Sequence, residues 1–502
     1  MAEFGHVAVV GTGVMGRGIA QILAQAGTTV RLVDAREGAA AAARSAIGEQ
    51  LNKLVEKGKL SADESAGTFG RLVVTEGLAD LAGAELVIEA IVEDLAAKIA
   101  LFQDLEAVLS DTAILATNTS SLSVTKIAAA CRRPERVAGL HFFNPVPLMK
   151  VAEVIGGART EATILDRLVA LVEGAGHAAV RAQDTPGFVV NHAGRAYPTE
   201  ALRIVGEGIA EFHQVDAVLR EAAQFRLGPF ELLDLTALDV SHPVMESIYE
   251  QYYQEPRYRP SVIMRQRLAA GLLGRKVGRG FYSYESGGTR QSPADLVAAG
   301  GEVPASVWVG GGEPEDVARL SALVRRLGVS VEVGDRPSPG VLAVVCPLGS
   351  DATSTAMQFG LDARLTVAID PLHGFERWRT LMVTPVTSDT ARESAQHLFS
   401  LDGIPVTVIH DSPGFIAQRV LAMVVNLGCD IVQQRVCSPR DLDTAVRLGL
   451  GYPKGPLAWG DELGPGRVLQ ILERMSAFYG DPRYRPSPWL KRRAWLGISL
   501  LT

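Results

Sequence analysis

The chain has 502 residues, 47% of them hydrophobic and 21% charged, with a net charge of −7. That length exceeds what one core supports and predicts roughly three to five domains. The acidic balance excludes a general nucleic-acid binder, which needs a basic face, and no apolar run of about 18 residues marks a membrane span.

The four cysteines, Cys131, Cys346, Cys429 and Cys437, are scattered without zinc spacing. No metal is expected, and reduced thiols in a cytoplasmic protein are the simplest account. The chain enters an apparent strand almost at once, which predicts no secretory leader.

His6 to Val10 reads as a buried parallel strand running straight into Gly11-Thr12-Gly13-Val14-Met15-Gly16. A helical pattern follows, with Ile19, Ile22, Leu23 and Ala26 at helical spacing, and Gly27 closes it. Thr29 to Val33 is a second strand ending at Asp34. Gly11 permits the tight turn, Gly13 lets backbone approach a pyrophosphate, and Gly16 lets helix and strand pack closely. Free N–H groups at the helix start then face the phosphates. Asp34, about 20 residues after the glycines, is placed to accept ribose hydroxyls and favours NAD. Arg36 beside it is the kind of residue that accommodates NADP.

Ala39 to Lys59 reads as helix, with Lys53, Lys57 and Lys59 forming either a solvated face or contacts to the phosphates of a large anionic substrate. Leu86 to Ile91 is another buried strand, followed by Glu93 and by Lys98 on the next helix. Ile114 to Ala116 leads to Asn118-Thr119-Ser120-Ser121, a cluster placed either to cap the following helix or to meet a ligand beyond the carboxyl ends of the strands. Val137 to Leu140 is the next strand, and His141 follows it. A histidine among aromatics is commonly a packed core residue. Here the glycine loop, the serine cluster and His141 converge on one sheet edge, which favours an acid–base role. Glu153, twelve positions on, is the candidate carboxylate for its second ring nitrogen, the alternative being an exposed edge glutamate.

These motifs resemble the L-3-hydroxyacyl-CoA dehydrogenase family. The matching stretches are GTGVMG (11–16), Asp34, EAIVED (89–94), NTSS (118–121), HFFNPVPLMKVAEVI (141–155), DTPGFVVN (184–191) and GRKVGRGFYSY (274–284). The resemblance spans about residues 5–285. It implies an NAD-dependent enzyme oxidising the 3-hydroxyl of an acyl-CoA thioester. His141 and Glu153 would be the catalytic dyad, with Ser120 and Asn191 holding the 3-oxygen and thioester region. Gly11, Gly13, Val14, Met15, Gly16, Asp34, Glu93, Lys98, Ser120 and Asn144 would surround NAD, and Lys53 would touch coenzyme A. Two departures stand out: His192 where arginine is expected, and Pro198, expected to kink the next helix.

Phe188 to about Tyr284 reads as mostly helical, with Phe230, Leu232, Leu233 and Leu235 packing inward. In the family this region covers the active site and forms a dimer, so a homodimer is expected. The second half is a partial repeat. DTPGFVVN (184–191) recurs as DSPGFIAQ (411–418), and EPRYRPS (255–261) as DPRYRPS (481–487). Strand-like runs at Val329–Val333, Val341–Val345, Leu365–Ile369 and Val406–Ile409 suggest a worn α/β partner without the glycine loop or the HFFNP motif. Gln418 replaces Asn191, and His373 lacks the surrounding motif, so no second active site is expected.

The expected architecture is an α/β Rossmann-type NAD-binding domain (1–184), an all-α domain (185–284), a linker (285–312), a degenerate α/β domain (313–408) and a second copy of the all-α domain (409–502). This layout resembles the long bacterial form of the family, including enzymes of phenylacetate degradation that oxidise 3-hydroxyadipyl-CoA. The alternatives are a 3-hydroxybutyryl-CoA enzyme, a dehydrogenase of small free hydroxy acids, and a non-catalytic dinucleotide-binding protein. For a dicarboxylic substrate, Arg195 (sharing a helix face with Asn191 at i, i+4) or Arg203 is the candidate carboxylate reader.

Overall fold

The structure, a computed structural model, describes residues 3–285, 290 and 301–502. Two compact units emerge: Met1–His192 with Gln434–Gly451, and Ala193–Gln433 with Tyr452–Thr502.

The first unit is built on β1 (His6–Val10), β2 (Thr29–Val33), β3 (Leu72–Val74), β4 (Leu86–Glu89), β5 (Ile114–Thr117), β6 (Val137–Phe142), β7 (Val151–Gly156) and β8 (Ala178–Gln183). Their order in one sheet is β3-β2-β1-β4-β5-β6-β7-β8. β1 through β6 run parallel to one another, β7 is antiparallel to β6, and β8 is parallel to β7. The chain leaves β1 toward β2 and returns on the other side as β4. That reversal opens a crevice beyond the carboxyl ends of β1 and β4, where such sheets bind ligands. β4, β5, β6 and β7 are buried at every position. They are mostly apolar, as strands buried on both faces are, and the polar exceptions Glu89, Thr117, His141 and Glu153 are each hydrogen-bonded.

The glycine loop feeds the helix Val14–Gln25, which buries Ile19, Ile22 and Leu23 in one core with Val7, Val9, Val30, Leu32 and Ile88. Asp184 closes the far side: its carboxylate accepts from Ser123 Oγ and from the N–H groups of Val124 and Thr125 at 2.7–3.0 Å. Residues from the second half complete this unit. Val436 O accepts from Gln183 N at 2.8 Å, and the helix Pro439–Gly449 packs on β7 and β8.

The second unit holds a six-stranded sheet: β9 (Ser306–Gly310), β10 (Ser330–Glu332), β11 (Leu342–Val345), β12 (Thr366–Ile369), β13 (Arg379–Val383) and β14 (Val406–Ile409). The order is β10-β9-β11-β12-β13-β14, with only β12 and β13 antiparallel. Asp411 repeats the role of Asp184, accepting from Ala352 N and Thr353 N at 2.8 and 3.1 Å. Phe188 and Phe415, at matching places in the repeated motif, both adopt positive φ, 48° and 50°.

The long helix Ala417–Gln433 is buried on nearly every side, and its polar residues Arg419, Asn426 and Asp430 are each paired, as buried polar groups must be. It packs on the helices Ala196–Gly206, Pro456–Leu463, Pro465–Tyr479 and Pro488–Leu496. Its Arg419 is fully buried against Glu200 at 2.8 Å and reaches Glu207, Ser412, Tyr479 and Tyr484. Arg483 holds the other Glu200 oxygen at 2.9 Å. Arg257 pairs with Asp430 and donates to the carbonyl of Arg485.

Several expectations are corrected. Ser306–Gly310 is no linker but a strand inside the second sheet; of the linker expectation, 286–289 and 291–300 lie outside the described residues. β13 was not anticipated at all. Pro198 sits in the first turn of Ala196–Gly206, where its missing N–H has no helical acceptor to lose, and the proline inside a helix is Pro243. Leu235 is exposed, while Phe230 and Leu233 are buried and Leu232 half-buried. Asn191 and Arg195 do not share one helix: Val190–Ala193 ends before Ala196–Gly206 begins.

Candidate active site

His141 lies within β6, which runs on to Phe142, rather than after the strand. Its cross-strand partner on antiparallel β7 is Glu153. Directly opposed residues put their side chains on the same face. Nδ1 of His141 therefore meets Glu153 Oε2 at 2.6 Å. Glu153 has no solvent exposure, which excludes the exposed-edge alternative. Its other oxygen, Oε1, accepts from the backbone N–H groups of Val189 and Val190 at 2.9 and 2.8 Å. A buried carboxylate is tolerated only when its acceptors are filled, and here both oxygens are. The rings of Phe143 and Phe188 flank the imidazole at 4.4 and 5.9 Å.

The serine cluster closes around Glu93. Its Oε1 accepts from Thr119 Oγ1 at 2.6 Å, from Ser120 N at 2.9 Å, and from Ser121 N and Oγ at 3.1 and 3.0 Å. Burial pushes the Glu93 carboxyl up, but the Thr119 hydroxyl and the Lys98 charge outweigh it and hold the group below its usual range. Lys98 is buried, its ammonium 2.6 Å from Glu89 and 3.3 Å from Glu93. It braces Glu93 from behind instead of facing open space. Asn191 Nδ2 reaches Ser120 O at 3.5 Å, so these two residues come together as expected. Asn118 ties β5 to β6 by accepting from Phe142 N at 2.9 Å. Asn144 is exposed just beyond β6, and Lys53, Lys57 and Lys59 are exposed at the end of the helix Ala39–Glu56.

The glycine loop fits a dinucleotide. Gly11 has φ +92°, and a Cβ there would lie 2.6 Å from Ala90 O; one on Gly16 would strike Gly11 O at 1.9 Å. Gly13 instead faces open space, with nothing within 4 Å of an added Cβ, the gap a pyrophosphate needs. Thr12 donates through both N and Oγ1 to Asp34 Oδ2 at 2.8 Å, fixing the loop to the end of β2. Burial raises the Asp34 carboxyl, but donors from Thr12 and Arg36 outweigh it and bring it down to about 2. It is therefore anionic at any physiological pH. Arg36 is bound to Asp34 through N and Nε at 3.0 and 3.3 Å, so its charge is already matched.

Sequence reasoning missed the Val189 and Val190 donors. Their signal was the Pro186-Gly187 turn and the positive φ of Phe188, which turn two successive N–H groups toward Glu153. It also missed Glu89, buried between Lys98, Thr117 Oγ1 and Ile91 N.

The second sheet handles the same positions differently. Its register puts Asp370 after Ile369 on β12, where β6 has His141, and Thr380 on β13, where β7 has Glu153. Gln418 accepts from Gly349 N at 2.6 Å and donates to Asp370 Oδ1 and Pro347 O at 2.9 and 3.2 Å. The Cys346 sulfur occupies the space over Gly312, 2.5 Å from where a Cβ would lie.

A dinucleotide loop beside a carboxylate-held histidine defines an NAD-linked dehydrogenase of the Rossmann class. Comparison with known proteins agrees. The model of the 3-hydroxyacyl-CoA dehydrogenase NAD binding domain matches residues 6–185, and that of the C-terminal domain matches 187–284 and again 414–497. The chain is 39% identical over 490 residues to a 3-hydroxyadipyl-CoA dehydrogenase of Escherichia coli K12, covering 98% of this chain and 97% of that one. It is 42% identical to a probable 3-hydroxybutyryl-CoA dehydrogenase of Bacillus subtilis strain 168, covering 56% of this chain and 98% of that one. A crystal structure of a 3-hydroxybutyryl-CoA dehydrogenase from E. coli K12 superposes with a TM-score of 0.87 at 37% identity, covering 98% of each chain. The protein belongs to the 3-hydroxyacyl-CoA dehydrogenase family and is an NAD-dependent oxidoreductase.

Proposed function

We propose that the first unit oxidises the 3-hydroxyl of an L-3-hydroxyacyl-CoA, and that 3-hydroxyadipyl-CoA is the substrate. The single observation that supports this most is the His141–Glu153 contact at 2.6 Å, with Glu153 held by two backbone donors. Glu153 accepts a hydrogen bond from Nδ1–H, which leaves Nε2 to receive the hydroxyl proton. As the imidazole becomes imidazolium, the buried carboxylate stabilises the new charge. NAD, when bound, supplies the acceptor for the C3 hydride. Ser120 and Asn191 orient the substrate's oxygen, and Gly11, Gly13, Val14, Met15, Gly16, Asp34, Glu93 and Asn144 line the cofactor side, with Lys98 acting through Glu93. Lys53 is free to meet coenzyme A phosphates.

We read 414–497 as a second copy of the helical domain, supported by the repeated family match, and the second sheet as a worn α/β domain. Asp370, Gln418 and Cys346 fill its ligand face, so it runs no second reaction. The chain acts as a homodimer in the cytoplasm. Among the described residues no helix is long and apolar enough to cross a membrane, and the four cysteines are buried and form no disulfide.

The adipyl assignment rests on the relative similar along its whole length. The shorter relative and the superposed crystal structure favour butyryl as the second reading. Arg203 is bound to Glu207 and Asp481. Arg195 is the arginine we test as the reader; burial brings its guanidinium down to about 10. NADH formation with 3-hydroxyadipyl-CoA and L-3-hydroxybutyryl-CoA in parallel decides between them. A higher kcat/KM for adipyl supports the role in aromatic-compound degradation, and a higher value for butyryl overturns it. If Arg195→Ala leaves the ratio of the two unchanged, Arg195 is not the reader.

A further inference from the structure

We propose that Gly449, in the second half of the chain, is a positioning residue for the His141–Glu153 pair; this rests on the reading of that pair as the catalytic dyad. Gly449 ends the helix Pro439–Gly449, within the segment that joins the first unit. A Cβ built on it would lie 2.9 and 3.0 Å from Cγ2 and Cγ1 of Val190. Those contacts are tighter than side chains ordinarily make. Val190 is buried and branched at Cβ, so it has little rotameric freedom to retreat, and its own Cβ is only 3.6 Å away. Displacement therefore passes to the backbone of residue 190. The N–H of that residue donates to Glu153 Oε1 at 2.8 Å, and Glu153 Oε2 holds His141 Nδ1.

The helix cannot back away instead. Ser438 caps it, accepting from Asp441 N at 3.1 Å, and Leu442, Ala445 and Val446 anchor it with no exposure. Just before it, Val436 is bound to edge strand β8. Glycine is a poor helix former, so local propensity gives no reason for it here; the lack of room beside Val190 does. The second half thus supplies a wall on which Val190, one of the two donors to the catalytic carboxylate, rests.

Gly449→Ala tests this, because alanine favours the helix and any loss of rate comes from the intruding methyl. The expected result is a kcat lower by about tenfold, the scale of sub-ångström misplacement of a catalytic group, with the KM for NAD unchanged. Adding Val190→Ala, which removes the opposing methyls, restores kcat to the level of Val190→Ala alone. Arg447→Val, on the exposed side of the helix, keeps wild-type kcat. His141→Ala is assayed beside them. If His141→Ala is inactive while Gly449→Ala turns over like wild type, the proposal fails and the dyad stands. A loss in Gly449→Ala that Val190→Ala does not relieve, or that raises the KM for NAD equally, also overturns it. Wild-type turnover in His141→Ala would overturn the dyad itself.

Discussion

Glu153 shows how much one residue is asked to do. It is a carboxyl group with no solvent exposure, and its position on β7 opposite His141 gives it one partner while the turn at Pro186-Gly187 gives it two more. The pair was legible in the sequence because side chains carry it. The two donors were not, because a backbone N–H leaves no mark in a residue name. Lys98 was legible as a residue of the site but not in its direction; only the buried Glu89 shows that its charge is turned inward. Asp34 was legible in place and kind. Its two Thr12 bonds and low pKa predict that Asp34→Ala weakens NAD binding by about tenfold, the worth of roughly 1.4 kcal/mol of lost hydrogen bonding, while NADP binding falls less. Titration with each dinucleotide checks this, and equal losses for both would contradict it.

Strands were read well where both faces are buried and badly where the pattern is short. β1 and β4 announced themselves by the apolar runs Val7–Val10 and Leu86–Ile88, and β2 by its place between the closing Gly27 and Asp34. β9 was hidden behind a Gly-rich flank, and β13 by the tryptophan and arginines around it. Helices were placed well but their breaks were not: Pro198 lies in a first turn and the interruption falls at Gly194-Arg195. At the end of β12, burial pushes the Asp370 carboxyl up to about 6, against the bonds from Gln418 and Leu372. The unfolded group ionises near 3.8, so between these values the folded state binds more protons and Asp370 costs stability as pH rises. Asp370→Asn should therefore gain Tm relative to wild type between about pH 4 and 6, with a constant difference above pH 7. Melting curves across that range test it; a difference that shrinks with rising pH would contradict it.

At the scale of the whole molecule, the internal repeat was visible as motifs, and the structure gives those motifs work. Asp184 and Asp411 each cap a helix, and the two PRYRPS segments meet where Arg257 donates to Arg485. What the motifs could not show is that residues 434–451 leave their own repeat and complete the first unit. The helix Pro439–Gly449 of that segment lies on β7 and β8, a long-range contact that no local signal announces. Within the second unit, Arg419 and Glu200 form a buried pair with no exposure. Removing Arg419 leaves Glu200 to Arg483 and Tyr484 and takes a donor from Glu207 and Ser412, so Arg419→Met should cost about 3 kcal/mol, the low end for breaking a buried pair. A urea midpoint equal to that of wild type would contradict this.

The central claim is that His141 performs the proton transfer of NAD-dependent oxidation. The most direct test is NADH formation from an L-3-hydroxyacyl-CoA by wild type and His141→Ala, with NAD binding measured on both. The structure predicts that His141→Ala binds NAD like wild type, because Thr12 and Asp34 are untouched, and loses on the order of a hundredfold or more in kcat. Turnover equal to wild type would show that the proton leaves by another route.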